Sequence, residues 1–274
     1  MVDNSLIFDV GCHIGQDSAF YLKKGFKVVA VEANPALCMS LRQRFGDQIA
    51  EGRFILIEKA IAEKAGEVEF YLNEHESVRS TISIRNAEIA TALGKPPIKT
   101  VVPSTTFSTL IEEFGVPHYM KVDIEGVDIL CLEGLVPFAE RPNFISTEYP
   151  LSLAEQISEL LLFRKLGYVS FQLVDQKSVP SQVPPWPPRE GQYVDDNFEI
   201  MCSGLFGAEL PGAWLTFGGA ISWYLMLFAR NKRMGLLRRV PGLSHFAGHG
   251  SWYDIHAALP TAALSASTEL ESAA

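Results

Sequence analysis

Paired cysteines are missing from this 274-residue sequence: Cys12, Cys38, Cys131 and Cys202 are scattered, with no C-x-x-C spacing among them. That leaves no disulfide framework to read and fits free thiols in a reducing, cytoplasmic setting. Basic charge is also short, 23 Lys and Arg against 32 Asp and Glu for a net charge of -9, which argues against nucleic acid as a partner. No N/D-P-P-Y-type signature of base methylation occurs, and no internal repeat. The first residues, MVDNS, are too few and too acidic for a secretory signal. One long uncharged run exists, Leu210 to Ala229, followed by Arg230, Lys232, Arg233, Arg238 and Arg239. Pro211, Gly212, Gly218 and Gly219 interrupt it. A buried helix is the first expectation there, a peripheral membrane or partner contact through 212–239 the second, and a membrane span the last.

What is present centres on LIFDVGCHIG, Leu6 to Gly15. A short apolar run ends at Asp9-Val10, and Gly11 and Gly15 punctuate a turn before a helix-compatible stretch. In an open α/β sheet such a loop lies at the carboxyl end of the first strand, where ligands bind. Gly11, without a Cβ, lets a cofactor approach the backbone. A second apolar run, Lys27 to Val31, ends in Glu32, and an acid about twenty residues on is placed to grip a ribose through its hydroxyls. The glycines follow D-V-G-x-x-x-G, not the G-x-G-x-x-G of a dehydrogenase.

Further on, the pattern predicts a helix over Pro35–Phe45 and strands over Phe54–Ile57, Glu67–Leu72, Ile98–Val102, Phe144–Glu148, Tyr168–Val174 and Asn197–Cys202. Residues 73–97 read as polar and irregular, with Ser77, Arg79, Ser80 and Thr81 available to a cleft. Lys121-Val122-Asp123-Ile124-Glu125-Gly126 puts two carboxylates and a lysine at a strand end, and Glu148 ends another strand on the same rim. The proline-rich stretch Val179 to Pro188, with Trp186 at its middle, reads as a semi-rigid flap over an acceptor.

Asp9-Val10-Gly11-Cys12-His13-Ile14-Gly15, Glu32-Ala33-Asn34-Pro35, Lys59-Ala60-Ile61 and the Lys121–Gly126 motif together resemble the FkbM-type methyltransferases, over about residues 5–150. The resemblance implies an α/β, Rossmann-like class I methyltransferase fold: a mostly parallel seven-stranded sheet, helices on both faces, and an antiparallel last strand. It implies S-adenosyl-L-methionine as cofactor, held by Asp9, Gly11, His13, Gly15, Glu32, Asn34, Glu58, Lys59, Ala60 and Asp123. It implies methylation of a hydroxyl oxygen, on a small molecule or saccharide. The methyltransferase domain is expected at 1–204, with a helical extension over 205–274 whose end, Leu264 to Ala274, is disordered.

Methyl transfer to a hydroxyl needs alignment first and a base second. Asp123 is the candidate base, with Glu125 and Glu148 next. A structural cap on the following helix is the competing role for Asp123. No spacing demands a metal, although these three acids could serve as oxygen ligands; His245-x-x-x-His249 reads as incidental. A cofactor-binding partner module without catalysis, and less favourably a nucleic-acid methyltransferase, are the alternative functions.

Overall fold

The second half of the first strand is wholly buried, because apolar residues alternate to both sides of it: Leu6, Phe8 and Val10 face one layer and Ile7 the other. The computed structural model describes residues 1–74, 76–150, 152–238, 252–260 and 262. In chain order the main sheet is built from β1 (Val2–Val10), β2 (Lys27–Val31) and β3 (Phe54–Ile57). The smaller strands β4 (Ala60–Ile61), β5 (Gly66–Leu72) and β6 (Ile98–Thr105) follow. Then come β7 (Val116–Val122), β8 (Phe144–Glu148), β9 (Ser170–Asp175), β10 (Leu215–Thr216) and β11 (Tyr253–Ala258).

The main sheet has the order β10-β9-β11-β8-β7-β1-β2-β3, and β4-β6-β5 form a second, three-stranded sheet. Strands β3, β2, β1, β7 and β8 pair in parallel, and β11 runs antiparallel between β8 and β9. The order reverses at β1, so the carboxyl ends of β1 and β7 flank a topological switch point. This is the Rossmann-like class I arrangement. The sheet has eight strands against the seven expected, β10 being a two-residue addition beside the start of β9.

Helices α1 (Gln16–Lys23) and α2 (Pro35–Arg44) cover one face, and α3 (Gly46–Ala50) precedes β3. α4 (Ile84–Ala92) lies in the stretch expected to be irregular, where Ser83 caps it by accepting the Asn86 N–H. The other face is covered by α5 (Phe107–Phe114), α6 (Ile129–Leu135), α7 (Leu153–Lys165) and α8 (Phe217–Arg238).

Two expectations need correction here. Asn197–Cys202 is not a strand: Phe198 packs edge-on against the Phe20 ring at 5.0 Å while Ile200 and Met201 are exposed. Residues 179–210 instead form a layer over α1, burying Val179, Leu205, Phe206 and Leu210. The place beside β9 belongs to β11, whose Asp254 lies opposite Glu148 and Val174. β10 and β11, both beyond residue 204, therefore belong to the main sheet. The proposed disordered end and the His245/His249 pair lie outside the described residues.

Candidate functional site

The turn after β1 is fixed by the strands beside it. Gly11 and Cys12 both donate their N–H to the Val31 carbonyl, at 2.9 and 3.1 Å, and Asp123 donates to the Val10 carbonyl at 2.9 Å. Gly11 has a φ of 84°, and a Cβ there would stand 1.9 Å from the Asp123 carbonyl oxygen. The bare Gly11 backbone is thus also required by the protein's own turn after β7. Gly15, φ 77°, sits at the N-terminus of α1, and a Cβ on it would press into Phe45 and Leu41.

A cleft, partly open to solvent, lies between this turn and the small sheet. Gly11, His13, Glu32, Lys59, Ala60 and Asp123 line it, as the sequence anticipates. Glu32 is held rigidly: its carboxylate accepts the backbone N–H of His13 at 3.0 Å, of Ala33 at 2.9 Å and of Asn34 at 2.8 Å. Burial nevertheless pushes its pKa up to about 7. His13, with a positive φ of 51°, shares a 2.8 Å hydrogen bond between Nε2 and the Ser77 hydroxyl. Burial lowers its pKa, so the ring is neutral at pH 7.

The remaining expected cofactor contacts do not line the cleft. Asp9 lies beneath it, fully buried, accepting the Ser18 hydroxyl at 2.6 Å. Gly15 serves packing, as above. Asn34 caps α2 by accepting the Ala36 N–H at 3.0 Å. Glu58 turns outward to an ion pair with Arg42. Each residue is in its motif for a local reason that spacing alone does not separate from ligand contact.

Asp123, Glu125 and Glu148 converge, one carboxylate oxygen from each lying within 4.8 Å of the others. Lys121, buried beneath them, places Nζ 3.4 Å from Asp17, 3.5 Å from Asp9 and 3.7 Å from Asp123. Burial opposes the lysine's charge, yet Asp9, Asp123 and Asp17 hold its pKa well above the ordinary value. Burial, reinforced by the Asp123 charge, raises Glu125 to about 8 and Glu148 to about 10. Asp254, from β11, is raised by burial and then by the same neighbour. The cap on the turn after β7 is Asp128, not Asp123: its oxygens accept the Ile124 and Gly126 N–H groups at 3.1 and 3.2 Å.

Ser77, Ser80 and Thr81 do line the cleft; Arg79 instead pairs with Glu76 at 3.0 Å. Unforeseen lining residues are Phe70, Val78 and Ile82, which give the cleft an apolar wall. Unforeseen supports are Asp17, which also accepts the backbone and hydroxyl of Ser203, and Thr81 and Asn86, which both donate to the Glu125 carbonyl. The alternation of β5 puts Phe70 on one face with Val68, a readable signal; Asp17 offered none. Trp186 is 77% exposed, packs edge-on to Tyr193 at 5.1 Å, and is absent from the cleft wall. Val179–Pro188 is therefore not a flap over this cleft: Gln182 accepts the Leu205 N–H, and Arg189, just after the stretch, donates to the Ala208 carbonyl, which ties it down over α1.

The family model for the methyltransferase FkbM domain matches residues 9–170. A solved methyltransferase FkbM from Methylobacillus flagellatus KT is similar with a TM-score of 0.41 and 15% identity, over 63% of this chain and 40% of that one. The chain thus spans about two fifths of that protein's length. The precorrin-6y C5,15-methyltransferase from Geobacter metallireducens GS-15 is similar with a TM-score of 0.39 and 11% identity, over 94% of this chain and 81% of that one. No curated protein matches the sequence.

Proposed function

Since this chain belongs to the methyltransferase FkbM family, we propose that it methylates a hydroxyl oxygen on a small molecule or saccharide, using S-adenosylmethionine bound in the cleft between Gly11 and Phe70. The donor set fits that cofactor. Glu32, at the end of β2, uses three of a carboxylate's roughly four acceptor sites on backbone N–H groups and keeps one for a ribose hydroxyl. Ile61, Phe70 and Ile82 supply an apolar wall suited to a flat base. The His13 and Ser77 side chains close the polar side. When bound, the cofactor supplies a methyl group activated by a positive sulfur.

One observation carries the reading: of the three converging carboxylates, Asp123 alone lines the cleft. Glu125 and Glu148, raised to about 8 and about 10, hold protons at neutral pH and act as hydrogen-bond donors to an acceptor or to Asp123. Asp123 therefore orients the acceptor hydroxyl and takes its proton as the oxygen attacks. Lys121 beneath balances the negative charge of the cluster. Asp128 and the Thr81 and Asn86 donors hold the turn, so the carboxylate stays in place without being the cap itself.

The test is transfer of labelled methyl from S-adenosylmethionine into a fractionated extract of small molecules and saccharides. The reading expects label in an alkali-stable methyl ether. Label in an alkali-labile ester or on nitrogen contradicts it.

A further inference from the structure

We propose that α8 rests its exposed apolar side on an anionic membrane surface, and that the acceptor methylated beside it is membrane-resident. Ala220, Tyr224 and Leu227 face inward, each at most 1% exposed, and satisfy the helix's contact with α7 and β9. Leu225, Met226 and Phe228 take the outer side at 49%, 55% and 44% exposure. A solvated helix that had finished its packing would carry polar residues there. From Leu210 to Tyr253 the sequence contains no Asp or Glu but has Arg230, Lys232, Arg233, Arg238 and Arg239, in a chain whose net charge is -9. Exposed apolar side chains on a helix that also exposes Arg230 and Lys232 are the chemistry that an anionic headgroup layer complements. A second copy meeting α8 about a two-fold axis would bring those cations against themselves. No helix among the described residues is long and apolar enough to cross a membrane, so the contact is with the surface.

The position of α8 links this surface to the cleft. The helix follows β10, which pairs with the start of β9 at the amino-end rim, and runs to the carboxyl-end rim. There Tyr224 meets Tyr149 edge-on at 5.1 Å, Trp223 meets Tyr253 at 5.1 Å, and Arg230 donates to the Tyr253 hydroxyl at 3.3 Å. Tyr149 directly follows Glu148 and Tyr253 directly precedes Asp254. Through Tyr224 and Trp223, α8 thus packs against the neighbours of Glu148 and Asp254, which brings the helix that carries the apolar side chains to the rim where the carboxylates stand, so a hydroxyl near the headgroups is the one within reach. This second clause rests on the methyl-transfer reading; the docking does not.

Co-sedimentation of the full chain with vesicles tests it, comparing phosphatidylcholine alone with phosphatidylcholine carrying about 30% phosphatidylserine. Binding about tenfold tighter to the anionic vesicles is expected, weakened by salt. Leu225→Asp with Phe228→Asp should lower it about tenfold, and Lys232→Gln should reduce only the anionic preference. Calorimetry without vesicles should give the same cofactor affinity for all of these variants, which separates failure of docking from failure of the function. Equal binding to both vesicle types overturns the proposal. So does binding unchanged by the paired aspartates, or a dimer in sedimentation velocity that those aspartates abolish.

Discussion

Removing the Glu32 carboxylate should reveal two jobs of different size. In Glu32→Ala the N–H groups of His13, Ala33 and Asn34 lose their acceptor at once. A hydrogen bond to a charged group contributes roughly 1.5 to 3 kcal/mol, but water entering the cleft can replace the two part-buried ones. The buried Asn34 donor then remains the main loss, and destabilisation of about 2 to 4 kcal/mol follows. For a chain of this size that is a fall in Tm of roughly 4 to 16 °C. Glu32→Gln keeps one oxygen for Ala33 and Asn34 but turns an amide donor toward the His13 N–H and toward the ribose. It should melt within a few degrees of wild type while losing at least about tenfold in S-adenosylmethionine affinity, the value of one charged hydrogen bond. Differential scanning fluorimetry and calorimetry on both variants give the two numbers. A folded Glu32→Gln protein with wild-type affinity would refute the placement of the ribose, and an unchanged Tm in Glu32→Ala would refute the structural role.

The pH dependences follow from the same burial. Binding that needs the Glu32 anion should weaken by up to about tenfold per unit as pH falls below about 7, and calorimetry showing constant affinity from pH 5 to 8 would count against it. Glu125 and Glu148 have folded pKa values of about 8 and about 10, above their ordinary value near 4.5. Their contribution to stability is therefore fully present below about pH 4.5 and is lost as pH rises through those values, by up to about 1.4 kcal/mol per unit and group. Glu148→Gln should flatten the alkaline decline of Tm. Gly11→Ala, with a methyl aimed at a carbonyl 1.9 Å away, should fail to accumulate as folded protein; a wild-type melting curve would contradict the packing. Trp186→Ala should leave the acceptor KM unchanged, since the ring stands apart from the cleft wall.

Features set by a strand end or by a residue's own backbone were the legible ones. The turn at Gly11, the acid at Glu32 and the carboxylate at Asp123 lie where an open α/β sheet puts its ligands, and all three reach the cleft. Asn34 and Gly15 belong to the same motifs, but spacing cannot distinguish a helix cap or a packing contact from a ligand contact. The long-range partners were hidden. Asn197–Cys202 reads like a strand yet pairs with no strand among the described residues, while Tyr253–Ala258 finds its place only because β8 and β9 leave a slot between them. The Lys121 cage needs Asp17 from α1 and Asp9 from β1, an assembly that a linear pattern does not display. Likewise only the folded turn assigns the cap to Asp128 and frees Asp123.

The central claim, that Asp123 takes the acceptor proton in a cleft that holds S-adenosylmethionine elsewhere, is tested most directly by single-turnover methyl transfer in Asp123→Asn. The substitution preserves shape and cannot accept the proton. The account predicts cofactor affinity within about twofold of wild type and a transfer rate lower by roughly 100-fold or more. A variant that transfers at the wild-type rate contradicts the account, and so does one whose cofactor affinity falls as far as its rate.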